Sequence, residues 1–261
     1  MNQKKLIIFM PSIEGGGVEK NLMIITNYLA TRVKNVALIT ISKKFKSKFS
    51  NKINFITTKT NFDYFNRKTK YLISLFLLFK QLLESKNKIV FSFQANIYCI
   101  LLCKLLNVKV IVRSNSSPSG WSKNFIKKFI FKYSITLADE IIVNSFDFKK
   151  EMKNNFNVKS NCIYNPLDTN KIKKLSKKKI QIKKSKKKYL KIINIGRFTD
   201  QKDHMTLLKA ALFLKNKLKF KILIVGRGAN EIKIKNFIQN NKLEKIVSIK
   251  NFTTNPYPYL K

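Results

Sequence analysis

The amino-acid sequence predicts an α/β protein of two doubly wound lobes joined by a basic stretch. Three observations point to it. Short apolar runs without polar alternation, which suit strands covered on both faces, alternate with longer segments of helical period. This pattern occurs in two separate series, and each opens with a strand followed by a glycine-containing turn: Lys4–Met10 before Ser12–Val18, and Leu190–Ile195 before Gly196. Between the series the composition changes to a nearly all-lysine stretch, Lys171–Lys188.

Taken in order, Lys4–Met10 reads as a buried strand, and the segment from Val18 to Arg32 as a helix with Leu22, Ile25, Tyr28 and Leu29 on one face. Strands are expected at Val36–Ser42 and Asn54–Thr58. Helix Tyr71–Leu83, strand Lys88–Phe93, helix Ile97–Leu106 and strand Val108–Arg113 follow. A basic helix at Phe125–Ala138, strand Glu140–Asn144, helix Asp147–Phe156 and strand Ser160–Ile163 complete the first series. The second series gives strand Leu190–Ile195, helix Asp203–Lys215, strand Phe220–Val225, helix Glu231–Asn241 and strand Ile246–Ile249. This alternation is that of open parallel sheets wound in both directions. The expected division is residues 1–170 as a first lobe, 171–188 as a lysine-rich linker, and 189–261 as a second lobe. That last span is about half the length of a typical compact α/β lobe, so the second lobe reads as incomplete.

The composition is extreme in charge. Among 261 residues there are 54 Lys and Arg against 13 Asp and Glu, a formal net charge of +41. A polyanion partner, nucleic acid or anionic membrane, is one reading. Against it, the arginines are only Arg32, Arg67, Arg113, Arg197 and Arg227. Nucleic-acid recognition favours Arg for its bidentate fork. Abundant Lys, Asn, Ile and Phe are what an AT-rich genome encodes, and this accounts for most of the charge. A basic nucleic-acid-binding protein therefore stands as the weaker alternative, because no RNA-binding motif, zinc spacing or recognition-helix pattern accompanies the charge. The 44% hydrophobic content excludes a disordered chain. Three Cys exclude a disulfide scaffold, and one His reads against zinc ligation, so no metal site is assigned.

No run reaches the ~18–20 apolar residues of a membrane-crossing helix; the longest is Tyr71–Phe79. The apolar core Leu6–Met10 is too short for a signal peptide. The expected location is cytoplasmic. Two segments, Arg67–Lys80 and Ser122–Tyr133, mix bases with bulky apolar residues. They fit either an interfacial helix on anionic lipid, peripheral on the inner face of the cytoplasmic membrane, or a core stripe with a solvated lysine face.

The segment Gly196-Arg-Phe-Thr-Asp-Gln-Lys-Asp-His204 follows a strand and opens a helix. Glycine allows close backbone approach, a helix N-terminus attracts anions, and Arg197 with Lys202 supplies a fork and a point charge. The arrangement suits a diphosphate clamp; a plain turn with two surface cations is the alternative. The string GRFTDQKDHMTLLKA closely resembles the opening of the second lobe in family 4 glycosyltransferases of GT-B fold, which have two Rossmann-like lobes. Further resemblances follow in the family's order. Gly15-Gly-Gly-Val-Glu-Lys20 looks like its first-strand loop, and Ala138-Asp-Glu-Ile-Ile-Val-Asn-Ser145 like its A-D-x-I-I-x-x-S strand. Asn165-Pro-Leu-Asp168 resembles the turn ending its first lobe, and Val225-Gly-Arg-Gly228 the V-G-x-G strand end.

The resemblance implies retaining transfer of a sugar from a nucleotide sugar, a UDP- or GDP-sugar, with no enzyme nucleophile, no metal and no bound cofactor. Arg197 and Lys202 match the positions that hold the donor diphosphate, where fixed cations stabilise the leaving group's charge. Gly15, Gly16 and Gly17 would let the first lobe approach donor or acceptor. Gly196 and Gly226 match the glycines that border the nucleotide, and Phe252 and Thr253 follow the last strand near the expected base. The first-lobe motifs resemble those of polysaccharide-assembly members most, so the implied acceptor is a glycan or a polyprenyl-diphosphate-linked sugar in cell-surface polysaccharide synthesis. There are two departures. Where many members carry a His after the fifth strand, this chain has Arg113-Ser-Asn-Ser-Ser117, so Arg113 and Asn115 become candidate acceptor contacts; His204, the sole histidine, reads as a helix-start residue without a catalytic role. The family's paired-glutamate motif, E-x-x-x-x-x-x-x-E, does not occur after Arg197. The expectation is a C-terminally truncated enzyme, with a catalytically inactive remnant as the alternative.

Overall fold

The computed structural model describes residues 4–14, 16–60, 62, 64–84, 87–94, 96–117, 125–179 and 189–260. These form two compact units, Met1–Leu167 and Asp168–Lys261.

The first unit carries β1 (Lys5–Phe9), α1 (Gly17–Arg32), β2 (Val36–Ile39), β3 (Ile53–Ile56), α2 (Arg67–Leu83), β4 (Lys88–Ser92) and α3 (Asn96–Leu105). It continues with β5 (Lys109–Ser114), α4 (Phe125–Thr136), β6 (Glu140–Val143), α5 (Phe146–Phe156) and β7 (Asn161–Cys162). The strands make one parallel sheet in the order β3-β2-β1-β4-β5-β6-β7. In register, Leu6 of β1 lies between Val36 of β2 and Ile89 of β4. Strand order reverses at the β1–β4 pair, and that switch point is where ligands bind in open α/β sheets.

β1 shows why the strands read as unbroken apolar runs. Ile7 and Phe9 enter a core shared with side chains of α2, α3, α4 and α5, whereas Ile8 and Met10 enter a second core with α1 on the opposite face. Cys99 and Cys103 are buried fillers of the first core. Asp139, just before β6, is a polar staple between elements. Its carboxylate accepts from the Val110 backbone N–H at 2.8 Å and from Lys104 Nζ at 3.0 Å. Burial alone would raise the pKa of this acid, but the Val110 N–H and the Lys104 ammonium outweigh it and hold the group below its ordinary value.

The second unit carries α6 (Thr169–Ser176), β8 (Leu190–Ile195), α7 (His204–Leu214), β9 (Phe220–Gly226), α8 (Glu231–Asn240) and β10 (Val247–Asn251), with a parallel sheet ordered β10-β9-β8. Its core joins Ile222 and Ile224 of β9 to Leu208 and Ala211 of α7 and to Ile234 and Ile238 of α8. The stretch expected as a linker begins as a helix. Asp168 caps α6 by accepting from Lys171 N–H, and Asn255 donates to Leu175 O, tying the helix to the end of the chain. Residues 180–188 lie outside the described residues.

Replacing Asp139 with Ala leaves the buried Val110 N–H without its acceptor. The expected loss is on the order of 1–2 kcal/mol in chemical denaturation, with a smaller loss for Asp139→Asn, which keeps an acceptor oxygen. Because the folded-state pKa is depressed, the carboxylate's contribution is present above the ordinary Asp pKa of about 3.9 and is lost as pH falls through the folded value. Equal losses in the two variants would show that the backbone bond contributes nothing.

Candidate functional site

In the second unit the loops after β8 and β9 pack backbone against backbone. Gly196 N–H donates to Val225 O, Phe198 N–H to Arg227 O, and Asn230 N–H to Phe198 O, each at 3.0 Å. A Cβ on Gly226 would lie 1.9 Å from Gly196 O and 2.8 Å from the Phe198 ring, and one on Gly228 would lie 2.5 Å from Phe198 O. No side chain fits at either position. The Phe198 ring is fully buried under this crossing, while Arg197 before it and Asp200 after it are exposed.

From Gly196 the chain runs through a short 3₁₀ turn, Asp200–Lys202, to Asp203, whose φ of 42° is left-handed. The Asp203 side chain caps α7, accepting from Thr206 N–H at 3.3 Å and Thr206 Oγ1 at 2.7 Å. These bonds hold its carboxyl below the usual range. The turn folds Lys202 back along Gly196, where a Cβ would meet Lys202 Cγ at 3.6 Å and the His204 ring at 3.9 Å. Gly196, Lys202 and His204 therefore converge at the carboxyl end of β8, and exposed Arg197 leaves the same turn.

His204 is 3% exposed, packs edge-on to Phe198 at 5.1 Å, and has no hydrogen-bond partner on either ring nitrogen among the described residues. Burial lowers its pKa; Asp203 pulls it up and Lys202 pushes it down, and the net shift is downward. With Thr199, Asp203 and Asn230 it borders a cavity of about 130 Å³. The placement as a helix-start residue was legible in the sequence, but its burial was not. Of the residues expected near the base, Phe252 is half-exposed and lies under the Arg227 guanidinium at 4.8 Å. Sequence reading had not singled out Arg227 as a partner. Thr253 Oγ1 is occupied in a local turn, accepting from Asn255 N–H and donating to Asn255 O.

In the first unit, Gly16 is the N-cap of α1 and makes no side-chain cap; nothing lies within 4 Å of a Cβ built on Gly17. A Cβ on Gly16 would lie 2.7 Å from Glu19 Oε2, so the Glu19 carboxylate folds over the first turn of α1, at the carboxyl end of β1 beside the switch point. Gly15 lies outside the described residues. Arg113 is 1% exposed, and its Nη2 donates to Ile163 O and Asn165 Oδ1, both at 3.0 Å. Its guanidinium is turned inward, bracing β5 against the chain leaving β7, and burial lowers its pKa. Asn115 is held in the same unit, its Nδ2 donating to Phe93 O at 3.1 Å. Several motif residues prove structural: Ser145 caps α5 by accepting from Phe148 N–H, Asn165 receives Arg113, and Asp168 caps α6.

No protein-family model matches the chain. An N-acetylgalactosamine-N,N'-diacetylbacillosaminyl-diphospho-undecaprenol 4-alpha-N-acetylgalactosaminyltransferase of Campylobacter jejuni is 26% identical over 273 residues, covering 98% of this chain and 72% of the relative. An uncharacterised glycosyltransferase of Methanocaldococcus jannaschii is 28% identical over 176 residues, covering 62% of this chain and 43% of that protein. Among solved structures, Anabaena HepE in complex with UDP superposes with a TM-score of 0.69 at 14% identity, over 98% of this chain and 71% of that one. The chain has the GT-B fold. A glycosyltransferase from Rickettsia africae gives a TM-score of 0.66 at 19% identity, over 99% of this chain and 71% of its own. The lipopolysaccharide outer core galactosyltransferase WaaB gives 0.64 at 14%, over 98% and 70%.

Two outcomes follow. Gly226→Ala must push the two loops apart and is expected to destabilise the second unit by ~3 kcal/mol; an unchanged melting temperature would mean the loops separate without cost. His204 is the only histidine, and its folded pKa is depressed. Its neutral form therefore supports the fold fully above the unfolded value of about 6.5, and this support is lost as pH falls below that value toward the folded one. Thermal stability should fall from about pH 7.5 to 5.5, and the fall should be smaller in His204→Phe; identical pH profiles would contradict the assignment.

Proposed function

We propose that this chain moves a sugar from a nucleotide sugar, a UDP- or GDP-sugar, to a glycan or polyprenyl-diphosphate-linked acceptor in cell-surface polysaccharide synthesis. The proposed route retains the anomeric configuration in the manner of family 4 enzymes. The observation that carries the reading is the turn from Gly196 to Asp203, where exposed Arg197 and Lys202 flank a glycine at the carboxyl end of a parallel strand. Breaking the sugar–phosphate bond leaves a nucleoside diphosphate with an added negative charge. A guanidinium and an ammonium held beside it stabilise that charge more in the transition state than in the ground state. Arg197 and Lys202 are the residues proposed for this work. Gly196 and Gly226 keep the surface under the diphosphate free of side chains, and Phe252, stacked under Arg227, is the proposed flank of the base.

The acceptor class draws on two relatives: the Campylobacter jejuni protein is named for an undecaprenyl-diphosphate-linked acceptor, and WaaB for the lipopolysaccharide outer core. Gly16 and Gly17 at the start of α1 are the proposed acceptor or donor contact of the first unit, since glycine lets the backbone approach a substrate closely. The reading locates the chain on the cytoplasmic side, peripheral on the inner face of the membrane.

Calorimetry with UDP and GDP tests the donor site. The unaltered protein is expected to bind one of them saturably. Arg197→Ala and Lys202→Ala should each weaken binding about tenfold or more, and the double variant should abolish it in the accessible range. Binding unaffected in the folded double variant would move the donor site elsewhere.

A further inference from the structure

The His204 ring is buried where packing alone does not call for a polar group. It is 3% exposed and lies edge-on to Phe198, and neither ring nitrogen has a hydrogen-bond partner among the described residues. An apolar side chain would fill the same space without leaving polar atoms unpaired. Burying such atoms opposes folding, so an unpaired imidazole in a native interior points to a role other than stability.

The ring's position supplies that role. The His204 atom nearest a Cβ built on Gly196 is Cε1, at 3.9 Å, and the nearest atom of all is Lys202 Cγ, at 3.6 Å. Cε1 is the carbon between the two ring nitrogens, so the polar edge of the imidazole and the Lys202 stem back the same glycine at the carboxyl end of β8. The ring also borders the cavity of about 130 Å³ shared with Thr199, Asp200, Asp203 and Asn230. Thr199 Oγ1 is likewise buried without a partner among the described residues. Asp200 and Asp203 are exposed, so protons reach the imidazole through a polar cavity with a solvated rim.

The charges around the ring decide how it responds to an anion. Its own turn supplies the Lys202 cation and the Asp203 carboxylate, which is engaged in capping Thr206. Asp200 accepts from Asn230 Nδ2 at 2.7 Å. α8 contributes Lys233 to the cavity rim, and Lys209 of α7 acts on Asp203. In the unliganded protein, burial favours the neutral ring; Asp203 opposes it and Lys202 adds to it. A diphosphate seated on Arg197 and Lys202 brings at least two negative charges to the other side of Gly196. It offsets the push of Lys202 and favours the imidazolium.

We propose that His204 takes up a proton when a nucleoside diphosphate seats on Arg197 and Lys202, becoming a third cation behind the donor site. This rests on the donor reading given above. His204 acts here as a positioning residue, through the field behind Gly196 and Lys202. A group whose pKa rises on binding takes up its proton together with the ligand. Donor affinity therefore increases as pH falls through the bound-state pKa and levels off below the free-state value.

The chain has one histidine, so isotope-labelled histidine gives a single NMR signal that reports the ring's titration in the full chain. Titrated free and then with saturating UDP or GDP, whichever binds, the imidazole pKa is expected to rise by about one unit, a tenfold tighter binding by the imidazolium form. Observing the ring itself separates its proton from that of the nucleotide's terminal phosphate, which titrates near pH ~6. Lys202→Ala should raise the imidazole pKa of the free protein, and added nucleotide should not shift it in Arg197→Ala/Lys202→Ala. By calorimetry, affinity should rise more between about pH 8 and pH 6 in the unaltered protein than in His204→Phe. The NMR titration needs no change at position 204, so a poorly folding His204→Phe leaves the test standing. An imidazole pKa that does not rise when nucleotide binds overturns the proposal and leaves the donor reading intact; so does the same pH dependence of affinity in a folded His204→Phe. A protein that binds neither UDP nor GDP loses the donor reading, and the linkage with it.

Discussion

The carbonyl oxygen of Gly196 occupies the space where any side chain on Gly226 would begin. That close approach lets β8 and β9 end together and lets the loops beyond them share hydrogen bonds from Gly196 to Val225 and from Phe198 to Arg227. Phe198 plugs the underside of the crossing, and its neighbours are forced outward as a consequence. Arg197 and Lys202 are displayed because the backbone between them is pinned from below. The left-handed Asp203 then starts α7, so the turn has little freedom to redistribute its cations. The electrostatic function proposed for this end of the sheet depends on that steric constraint more than on any single charge.

Acids are scarce, 13 against 54 bases, and the structure assigns several of them to tertiary or capping roles. Asp139 joins α3, β5 and the start of β6; Asp168 and Asp203 cap α6 and α7; Glu231 pairs with Lys235 one turn on along α8. Exposed pairs of this last type contribute little. The caps and the staple matter because they satisfy backbone N–H groups at helix starts and in the sheet. The excess positive charge is left on the surface, where mutual repulsion opposes compactness and acidic surfaces attract the protein.

The order of helices and strands was legible because each strand is short, apolar and bounded by turn residues, and each helix has a buried stripe of regular period. Boundaries moved where a cap or a charge decided them. Apolar period starts α2 at Tyr71, but Asn66 caps the helix by accepting from Thr69 N–H, and the basic first turn from Arg67 is helical too. The linker expected from Lys171 begins instead as α6, because Asp168 supplies a cap and Asn255 holds Leu175 O. A run of like charge conceals such a helix, since nothing in its composition distinguishes a solvated coil from a solvated helix.

Local sequence determined what depends on neighbours in the chain: the elements, the glycines that permit the loop crossing, and the cations that flank it. Tertiary structure decided which way side chains face. Arg113, at the end of its expected strand, was a candidate acceptor contact, yet it points inward because Asn165 and Ile163 O are brought to it from the end of β7, two positions across the sheet. The apolar segments around Phe76 and Phe129 could equally be core or surface. They are both, because the strand order places α2, α3 and α4 on one face of one sheet, where a single stripe of each helix covers the core and the opposite stripe has nothing in the first unit to cover.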